Sequence, residues 1–346
     1  MNSLPRVAVV ILNYNGEKLL PSFLPSVLTT TYTNLEIVLG DNASTDNSIA
    51  WVKEHYPSIQ IIQNESNLGF AEGYNQVLSK VNADYYVLLN SDVEVTARWI
   101  EPVIALMEKD TTIAAAQPKI LSYKQKDYFE YAGAAGGFID MLGYPFCRGR
   151  IFDSLEKDEA QYNQDAEVFW ASGAALFIRA SLYKASGGLD KDYFAHMEEI
   201  DLCWRLKNMG YKIMACQAST VYHLGGGTLQ ENNPRKTYLN FRNSLITLRK
   251  NLPLSKSISI LALRHLLDFV QWVRFIAEGK FKHAFAINRA HYDFLITQST
   301  WYYKRKKLLK LFKRPNNVGL YHRSIVYDYF IKKCKKFSQL ERRYFD

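Results

Sequence analysis

The stretch "LLNSDVEV", residues 88–95, runs from two leucines directly into a cluster of polar side chains. The leucines are typical of the end of a buried strand, and Asn90, Ser91 and Asp92 follow without a break. Asn, Ser and Asp favour strand exits because their side chains bond the nearby backbone, so a simple turn is one interpretation. The other is that a metal ion or a phosphate group binds at this strand end.

Four short runs rich in β-branched and aliphatic residues predict strands, with helical segments between them. The segment "STDNSIAWVKEHYP" (44–57) predicts a helix with Ser44 as its N-cap and Pro57 beyond its end. This alternation is typical of βαβ units, so the predicted class is α/β, with a Rossmann-like, mostly parallel sheet covered by helices on both faces. The runs are "RVAVVIL" (6–12), "LEIVLG" (35–40), "SIQIIQ" (58–63) and "YYVLLN" (85–90).

Polar side chains follow each of the four runs. In open α/β sheets, ligands bind outside the carboxyl ends of the strands, so these clusters are expected to line one crevice. A single cluster is explained by a turn, but four at one edge favour a binding site. The residues are Asn13, Tyr14 and Asn15 after the first run, Asp41 and Asn42 after the second, Asn64 and Asn67 after the third, and Asn90, Ser91 and Asp92 after the fourth.

The segment after the first run, "NYNGEKLL" (13–20), contains neither GxGxxG nor GxxxxGK[ST]. Without such glycines, carboxylates can neutralise a diphosphate only through a bridging divalent cation, Mg²⁺ or Mn²⁺. Asp92 is therefore a candidate metal ligand. Glu94 is left open, because it would share the face of Asp92 in a strand but would equally cap a helix that begins near Thr96.

The positive charge of the chain is confined to its C-terminal end. The formal net charge is +9, yet residues 301–346 carry +11 and residues 1–300 carry −2. A local cationic segment favours an anionic surface over a nucleic acid as partner. The N-terminus lacks the pattern of a signal peptide, and the four cysteines show no CxxC spacing, so a cytoplasmic protein is expected.

The segment "ISILALRHLLDFVQWVRFIAEG" (258–279) is apolar, but charged residues interrupt every window that could span a bilayer. Arg264, Asp268 and Gln271 form one helical stripe opposite a broad apolar face. Seven Lys or Arg residues follow within 304–314, next to aromatic side chains. We expect amphipathic helices that lie in an anionic membrane interface. The alternative is helices that pack on the rest of the protein with a solvated basic face.

Eight motifs, in order along the first 245 residues, resemble the inverting glycosyltransferases of family 2, which have a GT-A fold. The resemblance is closest to bacterial rhamnosyltransferase-like enzymes that build surface polysaccharides. It implies a GT-A catalytic domain at residues 1–250, followed by a helical, basic, membrane-interface region at 251–346. The motifs are "VAVVILNYNG" (7–16), "DNASTDNS" (41–48), "NLGFAEGYN" (67–75), "LLNSDVEV" (88–95), "ASGAALFIRA" (171–180), "GGLDKDYF" (187–194), "MEEIDLCWR" (197–205) and "VYHLGGGT" (221–228).

The resemblance also implies roles for the site residues. Tyr14, Asp41 and Asn67 would bind the nucleotide of a nucleotide-diphosphate sugar, with Asp41 at the base edge and Asn67 near the ribose or diphosphate. Asp92 and His223 would hold the metal. The family's DxD motif reads Asn90-Ser91-Asp92 here, which leaves one carboxylate. The further residues expected at the substrates are Asn13, Asn42, Gly69, Asn75, Asn90, Ser91, Glu198 and Asp201.

Inversion at an anomeric carbon requires a base that deprotonates the acceptor hydroxyl. In "HMEEIDLCWRL" (196–206) the candidates are Glu198, Glu199 and Asp201, and the resemblance assigns the base to Glu199. A structural role stays open, because acids in a first helical turn favour the helix dipole and Asp201 has i,i+4 spacing to Arg205. His223 is open in the same way between packing and metal binding.

The predicted function is transfer of a sugar from a nucleotide-diphosphate sugar to a glycan acceptor that is lipid-linked, on the inner face of the cell membrane. Two other classes remain open from the residues. A sugar nucleotidyltransferase would use a similar sheet, but it needs a Gly-rich loop with Arg and Lys after the first strand. A nucleic-acid-binding protein would explain the basic segment, but carboxylates at the sheet edge would repel phosphate.

Overall fold

A computed structural model describes residues 4–225 and 233–346 of the protein. Within these residues the strands form two sheets, a large central one and a small one. The strands are β1 (Val7–Asn13), β2 (Leu35–Asp41), β3 (Gln60–Gln63), β4 (Tyr85–Asn90), β5 (Val93–Val95), β6 (Ile113–Ser122), β7 (Gly137–Asp140), β8 (Pro145–Cys147), β9 (Arg150–Ile151), β10 (Ser154–Leu155), β11 (Ala166–Val168), β12 (Ala175–Arg179), β13 (Lys212–His223) and β14 (Leu320–Tyr321).

The helices lie between the strands in the first part of the chain and follow one another in the last part. Short 3₁₀ turns occur at Lys191–Tyr193, Phe337–Gln339 and Arg342–Tyr344. The helices of the described residues are α1 (Leu20–Leu28), α2 (Ser48–His55), α3 (Gly69–Leu78), α4 (Ile100–Lys109), α5 (Ala180–Ala185), α6 (Glu198–Asn208), α7 (Pro234–Asn251), α8 (Leu254–Ala277), α9 (Phe281–Ile296), α10 (Gln298–Leu308) and α11 (Ile325–Phe330).

The four predicted strands are confirmed as β1 to β4. They pair in parallel in the order β4-β1-β2-β3, so their carboxyl ends lie at one edge of the sheet. The register sets Asn13 opposite Asp41 and Leu12 opposite Asn90. The polar strand ends therefore meet in one crevice, as the sequence predicts.

Helices cover both faces of the sheet, and the side chains of β1 contribute alternately to the apolar clusters on the two faces. Val7, Val9 and Ile11 belong to one apolar cluster together with residues of α1 and α4. Ala8 and Val10 belong to the other, together with residues of α3 and α6. Since successive strand residues point to opposite faces, a continuous apolar run is required when both faces are covered.

The predicted α/β class is confirmed, and the sheet, which is parallel over β1 to β4, becomes mixed in the second half of the chain. The full order is β11-β13-β6-β12-β4-β1-β2-β3, with β5 also paired to β13. β12 is antiparallel to both β4 and β6, and β5 and β11 are antiparallel to β13, so the sheet is mixed. Nearly every residue of β12 is buried, and an apolar run of this kind carries no information on strand direction.

Two predicted helix starts are wrong. α2 begins at Ser48 with Asn47 at its N-cap, and the Ser44 hydroxyl instead accepts hydrogen bonds from the Asn13 side chain and the Asn15 backbone. Glu94 lies in β5, where it pairs with Lys126, and the next helix begins only at Ile100. Ser44 thus stabilises a strand-end loop and Glu94 forms an ion pair from a strand, so neither caps a helix.

The region after residue 250 shares its core with the residues before it. β14 pairs in parallel with β7 and completes the small sheet, whose order is β10-β9-β8-β7-β14. Leu261, Tyr321 and Ile325 belong to the same apolar cluster as Ala8 and Val10 of β1. The predicted boundary at residue 250 therefore does not separate two cores.

The amphipathic pattern predicted for α8 is present, but its polar stripe faces inward. Arg264 and Asp268 are 3% and 1% exposed. The Arg264 guanidinium donates to Leu142 O (3.0 Å) and to the Ser244 hydroxyl (2.8 Å), and it lies 4.0 Å from the ring centre of Tyr144. These partners compensate the loss of water around the charge, so the apolar face of the helix is left outside.

We expect Arg264→Ala to lower the free energy of unfolding by about 3 kcal/mol, because it leaves Asp268 as a buried carboxylate without its arginine partner. Arg274→Ala is the matched control on the same helix, since Arg274 is exposed and its i,i+4 pair with Glu278 contributes less than about 1 kcal/mol. Urea unfolding followed by circular dichroism measures both. Equal losses for the two variants would show that the α8 stripe is not part of the core.

Candidate active site

The floor of the crevice is built by the ends of β1 and β2. The buried amide of Asn13 donates to Asp41 (3.3 Å) and to the hydroxyls of Ser44 (3.0 Å) and Ser48 (3.0 Å). Asp41 is 1% exposed and also accepts from the Ser44 backbone and from Gln63. Tyr14, the next residue after β1, is 40% exposed at the same edge. A buried carboxylate next to an exposed aromatic ring is suited to hold a nucleoside base.

The loop before α3 is held by a network of asparagines. The Asn42 amide donates to the Asn67 side chain (3.0 Å) and to Gly69 O (2.9 Å), while Asn64 donates to Asn42 (3.1 Å). Gly69 has φ of 75°, and a methyl group there would lie 2.7 Å from the carbonyl oxygen of Phe194. Only glycine fits this close approach. The network leaves Asn67 exposed at the edge where β2 and β3 end.

Asn75 has a different environment from the one predicted. Its amide donates to Leu189 O (2.8 Å) and Glu72 (3.1 Å), and its oxygen accepts from the Tyr183 hydroxyl (2.7 Å) and the Leu189 backbone (3.1 Å). Both ends of the side chain are thus occupied by protein groups. Its position corrects the expectation of a substrate contact, since it joins α3 to the segment before Asp190.

Asp92 and His223 come together because β5 pairs with β13. His223 is the last residue of β13 and lies opposite Val93, and its Nε2 is 3.1 Å from Asp92 Oδ1. Its Nδ1 is 3.1 Å from Glu130 Oε2. All three side chains are buried. Burial lowers the pKa of His223, but hydrogen bonds to the two carboxylates outweigh it and raise this pKa to about 10.

This arrangement fits a divalent cation that also has a diphosphate as ligand. A carboxylate oxygen and an imidazole nitrogen are ligands that Mn²⁺ accepts. Asp92 Oδ1 and His223 Nε2 lie 3.1 Å apart, so both would bind one cation once it displaces the proton from the ring nitrogen. Glu130 contacts the second nitrogen of the ring, which is the usual way in which a carboxylate orients a metal-binding histidine. In the described residues no cluster of three or more ligating side chains occurs, so the remaining ligands would come from substrate or water.

The first turn of α6 follows a strained stretch of backbone. Phe194, His196 and Met197 have φ of 65°, 69° and 71°, in the left-handed region that non-glycine residues rarely occupy. Such conformations each cost about 1–3 kcal/mol and persist only where the surroundings impose them. Here they turn the chain so that α6 begins at Glu198 and Glu199.

Glu199 is in the environment that a general base needs. Burial raises its pKa to about 7, and its Oε2 has no hydrogen-bond partner among the described residues. Glu198 is only 4% exposed, and burial together with the charge of Glu199 raises its pKa well above the usual range. Burial thus favours the protonated form of both neighbouring carboxyl groups, and Glu199 is the one whose pKa lies near neutral pH.

The segment before β12 links Glu199 to the strand ends. Ala174 O accepts from the Asn90 backbone at 3.0 Å, at the end of β4. A methyl group on the adjacent Gly173 would lie 3.7 Å from Glu199 Cβ and 3.3 Å from the Phe70 ring. Asn90 and Ser91 are half-buried at the same place. The structure therefore brings the strand-end residues and Glu199 to one site.

Asp201 does not belong to this site, which corrects its predicted contact with substrate. Its side chain is fully buried, with Arg205 Nε at 2.8 Å, Lys250 Nζ at 2.9 Å and the Asn251 amide at 2.8 Å. Burial opposes the charge, but Lys250 and Arg205 lower the pKa of Asp201 below its usual value. The i,i+4 ion pair with Arg205 is confirmed, and Asp201 is a structural anion.

Glu130 and His196 are not among the residues that the sequence motifs predict for the site. Glu130 lies between β6 and β7, outside the quoted motifs, and no local spacing connects it to His223. His196 precedes the two glutamates, and burial lowers its pKa to about 4. Its position in "HMEEID" was the available signal. Gly226, Gly227 and Thr228, the last residues of the "VYHLGGGT" motif, lie outside the described residues.

The chain is similar to known proteins in sequence and in fold. The chain is 25% identical over 233 residues to the N-acetylglucosaminyl-diphospho-decaprenol L-rhamnosyltransferase of Mycobacterium tuberculosis, over 62% of this chain and 75% of that protein. Among solved structures it is similar to S. aureus TarS 1–349 in complex with UDP-GlcNAc, with a TM-score of 0.56 at 15% identity, over 88% of this chain and 89% of TarS 1–349.

A second solved structure, the mannosyltransferase PcManGT from Pyrobaculum calidifontis in complex with GDP-Man and Mn²⁺, is similar with a TM-score of 0.52 at 16% identity, over 90% of this chain and 86% of the other. These likenesses confirm the GT-A fold. The family profile described as Glycosyl transferase family 2 matches residues 8–182, which is more than half of the chain. The chain therefore belongs to glycosyltransferase family 2.

Proposed function

We propose that this glycosyltransferase moves a sugar, with inversion, from a nucleotide-diphosphate donor to a hydroxyl group of a lipid-linked glycan in cell-surface glycan synthesis. One observation carries the proposal. Glu199, a carboxylate with a pKa of about 7 and an oxygen without a partner among the described residues, lies beside the strand-end crevice of a GT-A fold. A base with a pKa near the working pH is what deprotonation of a sugar hydroxyl requires.

In the proposed reaction Glu199 accepts the proton of the acceptor hydroxyl. The acceptor oxygen forms a bond to the anomeric carbon while the bond from that carbon to the diphosphate oxygen breaks on the opposite face. The nucleoside diphosphate leaves with the electron pair, and the proton remains on Glu199. Glu198, the preceding residue, has a raised pKa, and in its protonated form it can donate a hydrogen bond to a substrate oxygen within reach.

The donor would bind along the ends of β1, β2 and β4. Asp41 would accept from the base, Tyr14 would stack on it, and Asn67 would contact the ribose or the diphosphate. Asn90, whose backbone donates to Ala174 O, and the half-buried Ser91 next to it would contact the sugar. Asn13, Asn42 and Gly69 support this surface from below through the hydrogen bonds described above.

Asp92 and His223 would hold Mg²⁺ or Mn²⁺, which when bound neutralises the charge of the leaving diphosphate. The fit of a carboxylate and an imidazole to such a cation supports this, as does the Mn²⁺ in the GDP-Man complex of the similar mannosyltransferase. Glu130 would orient His223 from the far side. Because Asn90-Ser91-Asp92 has one carboxylate where DxD has two, the donor diphosphate would contribute more of the ligands of the cation.

The outer face of α8 and α9 supports a lipid-linked acceptor. These helices are adjacent, and their outward side chains are large and apolar. We call them the apolar platform: Ile258, Leu263, Leu266, Phe269, Val270 and Val273 on α8, with Phe281, Phe285, Tyr292, Leu295 and Ile296 on α9, each between 45% and 69% exposed.

Proteins seldom expose so many contiguous apolar side chains to water without a partner. The exposed Lys310, Lys313 and Arg314 follow α10 in the same region of the chain. Apolar side chains combined with basic ones fit the surface of an anionic membrane, here the inner face of the cell membrane. No helix of the described residues is long and apolar enough to cross a bilayer. The relative from M. tuberculosis bears the name of an enzyme for a decaprenol-linked acceptor.

Glu199→Gln should lower kcat by about two to four orders of magnitude, because the amide keeps the shape of the side chain but cannot accept the proton. The affinity for donor should stay within about threefold of wild type, since Glu199 makes no donor contact in this proposal. Release of nucleoside diphosphate from a panel of nucleotide sugars, with a short soluble glycan as acceptor, measures kcat.

The pH dependence of kcat/KM, measured in the same assay, is a second test of Glu199 as the base. Only ionised Glu199 accepts a proton, so kcat/KM should fall about tenfold per pH unit below about pH 7 and level off above it. Asp201→Asn is the contrast variant, and it should lower the free energy of unfolding because it weakens a buried pair. A mild loss for Glu199→Gln, with a severe kcat loss in folded Asp201→Asn, would identify Asp201 as the base.

Asp92→Asn should weaken binding of UDP and GDP at least about tenfold in the presence of Mn²⁺ or Mg²⁺ and change it little in EDTA, because Asp92 acts through the cation. Isothermal titration measures the affinities directly and does not require turnover. Glu94→Gln is the matched control, since Glu94 is close to Asp92 in the chain but pairs with Lys126, and it should leave binding unchanged. Equal nucleotide affinities of Asp92→Asn and wild type in both Mn²⁺ and Mg²⁺ would contradict the role of Asp92 as a metal ligand.

Replacement of Leu266 and Phe269 together by Ser should reduce binding to vesicles that contain phosphatidylglycerol, because both side chains are more than half exposed on the apolar platform. Sedimentation with vesicles measures the bound fraction, and activity on a short soluble acceptor should be unchanged. Ile331→Ser, an equally exposed apolar residue outside the platform, is the control.

Binding of the wild type should also fall as salt is raised, over a Debye length of about 10 Å or less. Equal binding of the double variant and the wild type would contradict the role of the platform. If the wild type does not bind vesicles but forms a dimer through α8 in analytical ultracentrifugation, the partner of the apolar platform is a second copy of the chain.

A further inference from the structure

Lys304 differs from the exposed cations of the basic segment at 304–314. Its ammonium group forms an ion pair with Asp190 and lies 2.7 Å from Asp192, and its side chain is only 28% exposed. Lys306, Lys307 and Lys310 are exposed to solvent. Burial opposes the charge of Lys304, but Asp190 and Asp192 outweigh it and raise its pKa. Lys304 is therefore directed into the protein and is not available to a membrane surface.

Asp190 connects Lys304 to the interior. Its other carboxylate oxygen lies 2.6 Å from the ammonium group of Lys250, which is also 2.9 Å from Asp201 on α6. Burial opposes the charge of Asp190, but Lys250 and Lys304 lower its pKa well below the usual range. A chain of alternating charges thus runs from α10, through Asp190 and α7, to the helix that carries Glu199.

Asp190 also begins the segment that contains the strained residues Phe194, His196 and Met197. Its carboxylate accepts from the Asp192 backbone at 3.2 Å and so caps the short 3₁₀ turn. Asn243 on α7 donates to the carbonyl groups of Tyr193, Ala195 and His196, at 2.8–3.0 Å. The segment 190–197 is therefore fixed at its beginning by Lys304 and Lys250, and along its length by Asn243.

The same segment contacts the donor side of the site. The carbonyl oxygen of Phe194 accepts from the Phe70 backbone (2.7 Å) and the Ala71 backbone (3.2 Å), at the start of α3. Gly69, which stands next to the asparagine network, packs against Phe194. Movement of segment 190–197 would thus change the distance between the donor crevice and Glu199.

We propose that Lys304 is a positioning residue for the transfer reaction, which holds segment 190–197 through Asp190 and Asp192 and thereby sets where Glu199 meets the donor. This rests on the proposed role of Glu199 as base. Without Lys304, Asp190 keeps only Lys250, and the two carboxylates at the 3₁₀ turn repel each other. A displacement of about 1 Å at a reacting group can cost about 100-fold in rate, so a small shift of this segment is sufficient.

Three variants test the proposal on the full chain. Lys304→Gln removes the charge, Lys304→Arg keeps it, and Lys306→Gln is the matched control, two residues further on and exposed. With a soluble acceptor, Lys304→Gln should lower kcat about tenfold or more while KM for donor stays within about twofold. Lys304→Arg should recover most of the loss, and Lys306→Gln should match wild type.

A purely structural role would give a different pattern. Lys304→Gln would then lower the melting temperature and the fraction of folded protein, while kcat per folded molecule and the acid limb of the pH profile stayed as in wild type. That result would overturn the proposal. If Lys304→Gln does not fold, Asp192→Asn removes the other half of one ion pair at a partly exposed position, and a loss of kcat without a change in donor KM is again expected.

Hydrogen exchange separates this proposal from the proposed function. Peptides that cover residues 190–200 should exchange faster in Lys304→Gln than in wild type and regain protection in Lys304→Arg, whether or not a donor has been found. If the wild type releases no nucleoside diphosphate from any nucleotide sugar, the proposed function fails, and the exchange result still stands. Unchanged exchange over these residues in Lys304→Gln would overturn the role of Lys304.

Discussion

The structure depends on the burial of one positive charge, that of Lys250. Its side chain is 1% exposed and is neutralised by Asp190 and Asp201, which come from different parts of the chain. A buried charge that loses its partner costs about 3–5 kcal/mol, so α6, α7 and the segment after Asp190 must adopt their arrangement together. α10 joins them, since Arg305 donates to the backbone oxygen of Lys250 at 2.9 Å. The position of Glu199 follows from this arrangement.

The sequence was sufficient to predict the half of the site that depends on local pattern. Each of the first four strands is a short apolar run, and parallel pairing brings the ends of such runs to one edge whatever the connections between them. Asn13, Asp41 and Asn90 could therefore be assigned to one crevice. The two glutamates at the start of α6 could be found as well, because a motif marks them.

The parts of the site and the fold that could not be predicted depend on contacts between residues far apart in the chain. Glu130 reaches His223 only because β6 and β13 are neighbours, and nothing in the sequence near either residue records that pairing. Asp201 has the same charge and nearly the same position as Glu199, and only its burial beside Lys250 gives it a different role. The periodicity of α8 predicts an amphipathic helix, but it does not reveal that Arg264 has partners inside the fold.

The pairing of β14 with β7 has a consequence for how the protein is made. Asp140, at the end of β7, accepts from the backbone of Ile325, 185 residues further along the chain. Contacts of such long range close late, because the entropy cost of closing a loop rises with its length. During synthesis the residues of β1 to β4 leave the ribosome well before Lys304 and Tyr321 are added. A nascent chain would therefore hold an assembled sheet with an incomplete catalytic half, and the enzyme would acquire its site and its apolar platform in the last stage of folding.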